Sequence, residues 1–103
     1  MEFVQIVEYE SDRPEDVRAL NAQWAARDRG AAGAPTRVTM VRDHDEPRRF
    51  RMIAEFASYD EAMSYSARPE TGEFAQRMRE LATGEPRFVD LDVVDRITTQ
   101  RPA

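Results

Sequence analysis

The stretch Phe50–Val94 leaves this chain few folds to choose from. It reads FRMIAEFASYDEAMSYSARPETGEFAQRMRELATGEPRFVDLDVV. Phe50, Met52, Ala54 and Phe56 alternate with Arg51, Ile53 and Glu55, the period-2 pattern of a strand with two unlike faces. Ser58 comes next, with Glu61 three residues on, a capping-box spacing that opens a helix. Pro69 disfavours helix at Arg68. The helix therefore breaks across Ser66–Pro69 and restarts with Thr71 as its cap, carrying Phe74, Met78 and Leu81 at helical spacing. Gly84 stops it, Pro86 prevents continuation, and Arg87–Asp95 reads as a final strand. The whole is a β–α–β unit.

The upstream half reads as a second such unit. Glu2–Tyr9 is a strand with Val4 and Ile6 on one face and Phe3, Val7 and Tyr9 on the other, so both faces expect cover. In Asp12-Arg13-Pro14-Glu15, Asp12 serves as the cap, Pro14 suits the first turn and Glu15 completes the box. Val17, Leu20 and Trp24 mark one stripe of the helix, which ends near Arg29-Gly30. A Gly- and Pro-containing loop leads to strands at Thr36–Arg42 and Arg49–Phe56, joined by the polar hairpin Asp43–Pro47.

The order β-α-β-β-α-β is the split βαβ, or ferredoxin-like, arrangement of the α+β class. Right-handed crossovers place both helices on one face of a four-stranded antiparallel sheet. Residues 1–97 form one domain and 98–103 a loose tail. The alternation assigns Phe3, Val7, Tyr9, Val41, Ile53, Phe88 and Val94 to the helix-free face. So apolar a face is rarely left bare, and stacking two copies about a twofold axis covers it with one self-complementary surface. At 103 residues the chain buries only about two-thirds of its unfolded surface, which makes pairing more valuable.

Composition narrows the chemistry. There is no Lys, hence no Schiff-base amine and no phosphate-loop lysine, and no Cys, hence no thiol nucleophile, disulfide or zinc–thiolate site. A net charge of −5 argues against a nucleic acid partner. Arg48, Arg49 and Arg51 follow directly on Asp43, Asp45 and Glu46 and read as a solvated hairpin tip. No run is long and apolar enough to span a membrane, and Met1–Val7 is too short and acidic for a signal peptide, so a cytoplasmic location is expected.

The segments FASYDEAM, ARPETGEFAQRM and GEPRFVDLDVV resemble the dimeric α+β barrel superfamily, the antibiotic-biosynthesis monooxygenases and their small relatives. That resemblance implies a homodimer whose two sheets enclose a barrel, with a pocket between sheet and helices in each subunit. Its activities include cofactor-free oxygenation, haem degradation, polyketide cyclisation and isomerisation, and fold alone does not choose among them. Many relatives carry a His near the helix break, where this chain has Tyr65-Ser66-Ala67-Arg68. The single His, His44, falls among acids in the hairpin and reads as solvated, so no haem, other cofactor or metal is expected.

Two residue sets can carry chemistry. Gln5, Tyr9, Thr39, Arg51, Glu55, Asp90 and Asp92 fall by alternation on the helix-free face. There Glu55 or Tyr9 can move a proton while Arg51 holds an oxyanion. The same groups also suit an interface network between two copies. Trp24, Phe74 and Met78 either line a ligand pocket or simply fill the core. Tyr65 and Arg68 flank the helix break, where backbone N–H groups near Thr71 can receive an anion. The expected activity is that of a cofactor-independent monooxygenase, cyclase or isomerase acting on a small aromatic or polyketide-like molecule. The alternative is a non-catalytic homodimer that binds a small hydrophobic ligand or a protein.

Overall fold

The computed structural model describes residues 1–100. It contains β1 (Phe3–Glu10), α1 (Pro14–Asp28), β2 (Arg37–Arg42), β3 (Arg49–Phe56), α2 (Tyr59–Ser66), α3 (Pro69–Leu81) and β4 (Arg87–Asp92). The four strands form one antiparallel sheet in the order β2-β3-β1-β4. This is the ferredoxin-like α+β architecture the element order implies, with its second helix broken in two. Residues 98–100 belong to no regular element, and the rest of the expected loose tail, 101–103, lies outside the described residues.

Local chemistry explains the boundaries. Ser58 is extended and its hydroxyl accepts the Glu61 N–H at 3.1 Å, so α2 is capped as its sequence requires. α1 and α3 begin differently from expectation. Asp12 does not cap α1 but pairs with Arg48, while the Ser11 hydroxyl accepts the Arg13 N–H at 3.0 Å and donates to Leu81 O at 2.7 Å. α3 starts at Pro69, not Thr71: proline has no N–H to lose and its φ suits a first helical turn. Arg68 takes the extended conformation required before proline, and the Thr71 N–H is bonded to Arg68 O at 3.1 Å. No free amide is therefore available at Thr71 to bind an anion. α3 closes at Leu81, before Gly84, and β4 ends at Asp92 opposite Phe3, with one further backbone bond from Val93 N–H to Glu2 O at 3.0 Å.

The register settles which side chains share a face. Phe3, Gln5, Val7 and Tyr9 lie opposite Phe56, Ala54, Met52 and Phe50, and all four of the β3 residues are buried under the helices. Phe88 stands beside Val7 in the same layer. Phe3, Val7, Tyr9 and Phe88 therefore face the helices, contrary to the alternation argument, whereas Val41 and Ile53 do lie on the open face. Val94 follows the last strand and is exposed. The reason is the pattern of β1 itself, which is apolar on both sides and cannot announce its own orientation.

The open face consists of three rows across the strands. The middle row is Thr39–Ile53–Ile6–Val89. On one side runs Arg37–Glu55–Val4–Leu91, on the other Val41–Arg51–Glu8–Arg87. Opposite charges adjoin within the outer rows: Arg51 lies 3.2 Å from Glu8, and Glu55 lies 3.6 Å from Arg37 and 3.3 Å from Arg96.

Candidate ligand site beneath the helices

Between the sheet and the three helices lies a cavity of about 250 Å³. The sheet supplies Val7, Met52, Ala54, Phe56 and Phe88 to its wall, α1 supplies Trp24, α2 supplies Tyr65 and Ser66, and α3 supplies Thr71, Phe74, Met78 and Arg79. Helical spacing accounts for the convergence. Phe74 and Met78 are one turn apart on α3, and Trp24 stacks on Phe74 with ring centroids 4.4 Å apart. Trp24 and Tyr65 also border a second cavity, of about 360 Å³, beneath the α1–β2 connection, where Asp28, Thr36 and Val38 contribute. The two rings thus form a shared partition. Gly33 lets that connection close over α2: its φ is +75° and a Cβ there would sit 3.2 Å from Glu61 O.

Asp28 is the buried charge of the molecule, at 3% exposure, and it stands at the C-terminal end of α1, where the helix dipole disfavours an acid. Two partners hold it there. Arg27 Nε donates to it at 2.9 Å and the Tyr65 hydroxyl donates to its other oxygen. The Arg27 hydrogen bond, aided by that of Tyr65, keeps the Asp28 carboxyl below its usual range against the opposing effect of burial. Tyr65 is pushed upward, first by burial and then by the adjacent carboxylate, and stays neutral. The guanidinium of Arg68 lies 5.2 Å from the Tyr65 ring centroid and pairs with Glu70 at 3.2 Å.

Hydrogen bonding within the wall is incomplete. The Trp24 indole N–H and the Thr71 hydroxyl are buried without a partner among the described residues. Trp24 itself is 7% exposed, and its ring centroid stands 6.0 Å from that of Tyr65. A buried donor left unpaired costs about 1–3 kcal/mol, which an acceptor on a bound molecule would recover.

Of the residues singled out in the sequence, Trp24, Tyr65, Phe74 and Met78 are brought together around this one cavity, and Arg68 sits behind Tyr65, outside the wall. Glu55, Arg51 and Tyr9 do not converge on one site, although Tyr9 and Arg51 border the same cleft. Glu55 and Arg51 project from the open face into ion pairs, whereas Tyr9 points the other way and stacks on Phe50 with centroids 5.6 Å apart. Gln5 and Asp90 are likewise on the helix side, joined at 3.0 Å. His44 is exposed in the β2–β3 turn. Near Tyr9 a polar cleft of about 310 Å³ opens, but Glu8, Glu10, Arg49 and Arg51 already neutralise one another there.

Sequence reasoning missed Asp28. The signal was present: Asp28 is four residues beyond Trp24, on the continuation of the Val17–Leu20–Trp24 stripe.

The Tyr9 hydroxyl has no partner and burial pushes its pKa up to about 12. Tyr9→Phe removes an unsatisfied buried group at almost no change of shape. The expected result is a gain of about 1 kcal/mol in denaturant unfolding with ligand binding unchanged; a loss of stability would reveal a partner for that hydroxyl.

No protein-family model matches the chain, and neither does any curated protein. Solved structures do. A variant of SnoaB, a cofactor-independent oxygenase from Streptomyces nogalater, superposes with a TM-score of 0.79 at 18% identity, over 93% of this chain and 96% of its own. A protein assigned as an antibiotic biosynthesis monooxygenase from Bordetella bronchiseptica gives 0.76 at 19% identity, over 90% and 97%. Rv0793 from Mycobacterium tuberculosis gives 0.76 at 15% identity, over 95% and 100%. These likenesses show the fold, the ferredoxin-like α+β arrangement that the chain shares with those proteins. No described helix is long and apolar enough to cross a membrane.

Proposed function

We propose that the chain is a homodimeric, cofactor-independent oxygenase that holds a small planar aromatic or polyketide-like molecule in the cavity beneath its helices. The carrying observation is the unpartnered indole N–H of Trp24, near the Tyr65–Asp28 pair and in a wall made largely of apolar side chains. The resemblance to a cofactor-independent oxygenase supports the choice of reaction.

The residues suit a substrate that supplies its own electrons. A methylene flanked by phenol-bearing rings, once ionised, can reduce dioxygen. The methylene and one dioxygen become a ketone and one water, with one oxygen atom in the ketone and the other in the water. The ionised substrate carries its charge on oxygen, and the Trp24 N–H and Thr71 O–H are donors available to that oxygen in a site of low dielectric constant. Tyr65 has committed its proton to Asp28, so its oxygen presents lone pairs and accepts from a substrate hydroxyl. Because Asp28 is held ionised and weakly basic, the pair orients the substrate and the proton leaves to solvent. Trp24 and Phe74, already stacked, provide flat surfaces for a planar ring.

Two copies meet through the open face in this reading. Its middle row is mostly apolar, and the charged rows on either side pair internally, which suits stacking about a twofold axis.

Trp24 is the chain's one tryptophan, so its fluorescence reports on this cavity. A hydroxylated anthrone should quench it saturably, and an oxygen electrode should then record one dioxygen consumed per ketone formed. Trp24→Phe keeps a ring but loses the donor, and should lower that rate by about 10²-fold. Quenching without dioxygen uptake would favour the second reading, a ligand-binding homodimer, to which the absence of any carboxylate or imidazole among the described residues of the cavity wall also points. No quenching would remove both.

A further inference from the structure

We infer that the molecule held in this cavity carries an acidic group, a carboxylate or its equivalent, which sits against Arg79 while its apolar body lies between Phe74 and the sheet. The inference rests on the cavity being a ligand site and adds the charge of the ligand.

The chain has 20 acidic residues and a net charge of −5. None of the described ones lines this cavity. Arg79, in the last turn of α3, is the one formally charged side chain on its wall among the described residues. Most arginines of the molecule are matched: Arg27 with Asp28, Arg51 and Arg87 with Glu8, Arg68 with Glu70, Arg96 with Glu2 and Glu55. Arg79 forms no ion pair among the described residues. Arg29, Arg42 and Arg77 share that property, but they border other clefts.

The place of Arg79 on α3 points the same way. Phe74 and Met78 are buried in the wall, and Arg79 follows on the exposed side of the same helix, so its charged end stays in water while the wall beside it is apolar. A ligand with an apolar body and one anionic end matches that gradient. The cation also compensates the −5 charge of the whole molecule locally, lowering the electrostatic penalty for an approaching anion. A position near a helix C-terminus favours a cation, which explains why arginine is tolerated there, but not why every carboxylate is kept off the wall.

Calorimetric titration of the intact protein with 2-naphthoate and with 2-naphthamide, equal in shape and different in charge, tests this. The naphthoate should bind about threefold to fivefold more tightly, the upper range of an exposed ion pair, and raising the salt to about 0.5 M should erase most of the difference. Arg79→Gln preserves an exposed helical position and should bring the two ligands within about twofold. Equal binding of the two by the wild type, or a carboxylate preference that survives Arg79→Gln, overturns the inference and leaves the cavity reading intact. Failure of both probes to bind or to change Trp24 fluorescence overturns the cavity reading and this inference together. Were the variant not to fold, the wild-type salt dependence decides instead: a carboxylate preference that high salt leaves untouched overturns the inference.

Discussion

If two copies stack through the open face as proposed, Ile53→Glu is expected to leave a monomer of 11.9 kDa, read by light scattering on a gel-filtration column. Ile53 lies in the middle row of the open face, between Thr39 and Ile6, with its side chain directed away from the helices. In a twofold assembly each substitution appears twice. Two carboxylates would have to leave water without new partners, at several kcal/mol apiece, so the dissociation constant should rise by at least about 10³-fold. The folded subunit should survive, because the helix-side neighbours Met52 and Ala54 are untouched and remain buried. Near-ultraviolet dichroism of Trp24 should therefore persist in the monomer. A dimer that withstands the substitution would show that copies meet elsewhere, and a wild type that is already monomeric at micromolar concentration would remove the proposed assembly.

Asp28→Ala should produce the largest loss of stability among the site variants. It leaves the Tyr65 hydroxyl buried at 2% exposure with its donor unused, and takes away the carboxylate that anchors the end of α1. Breaking such a buried bond costs about 2–4 kcal/mol, or on the order of 10 °C in melting temperature for a domain of this length. The effect should depend on pH with a defined sign. The folded pKa of Asp28 is depressed from 3.8, so its contribution is complete above about pH 4 and declines as pH falls through the lower folded value. Melting curves of wild type and variant should thus be well separated at pH 7 and converge in strong acid. Equal melting temperatures at pH 7 would mean that the Arg27 and Tyr65 contacts contribute nothing net.

How far the sequence revealed this molecule depended on how asymmetric each segment is. β3 alternates between Phe50, Met52, Ala54 and Phe56 on one side and Arg51 and Glu55 on the other, so its limits and its facing were both readable. The Ser58 cap was readable for the same local reason. β1 was readable as a strand but not as an oriented one, since Val4 and Ile6 are as apolar as Phe3 and Val7; only pairing with β3 decides. That inversion carried Tyr9 to the wrong side and joined it with Glu55 and Arg51, from which the sheet separates it. The aromatic half of the site was legible because helical spacing puts Trp24, Phe74 and Met78 inward. The inward place of Asp28 could be read from its stripe, but its partner could not, because Tyr65 comes from α2, 37 residues away, and no local pattern announces a distant tyrosine.

The strand order has a consequence for how the chain is made. β1 leaves the ribosome before the other three strands, yet it occupies an inner position whose outer neighbour is β4, the latest of the four; Gln5 and Asp90 meet across 85 residues. Until β4 emerges, β1 can pair only with β3 and shows a row of unfilled backbone donors and acceptors beside Val4 and Ile6. Contacts so far apart in sequence slow closure, and an open inner edge invites pairing with other nascent chains. Synthesis must pass β4 before the sheet can shut. A chain halted before β4 should therefore aggregate, whereas one lacking only the residues after Asp92 keeps every strand pair.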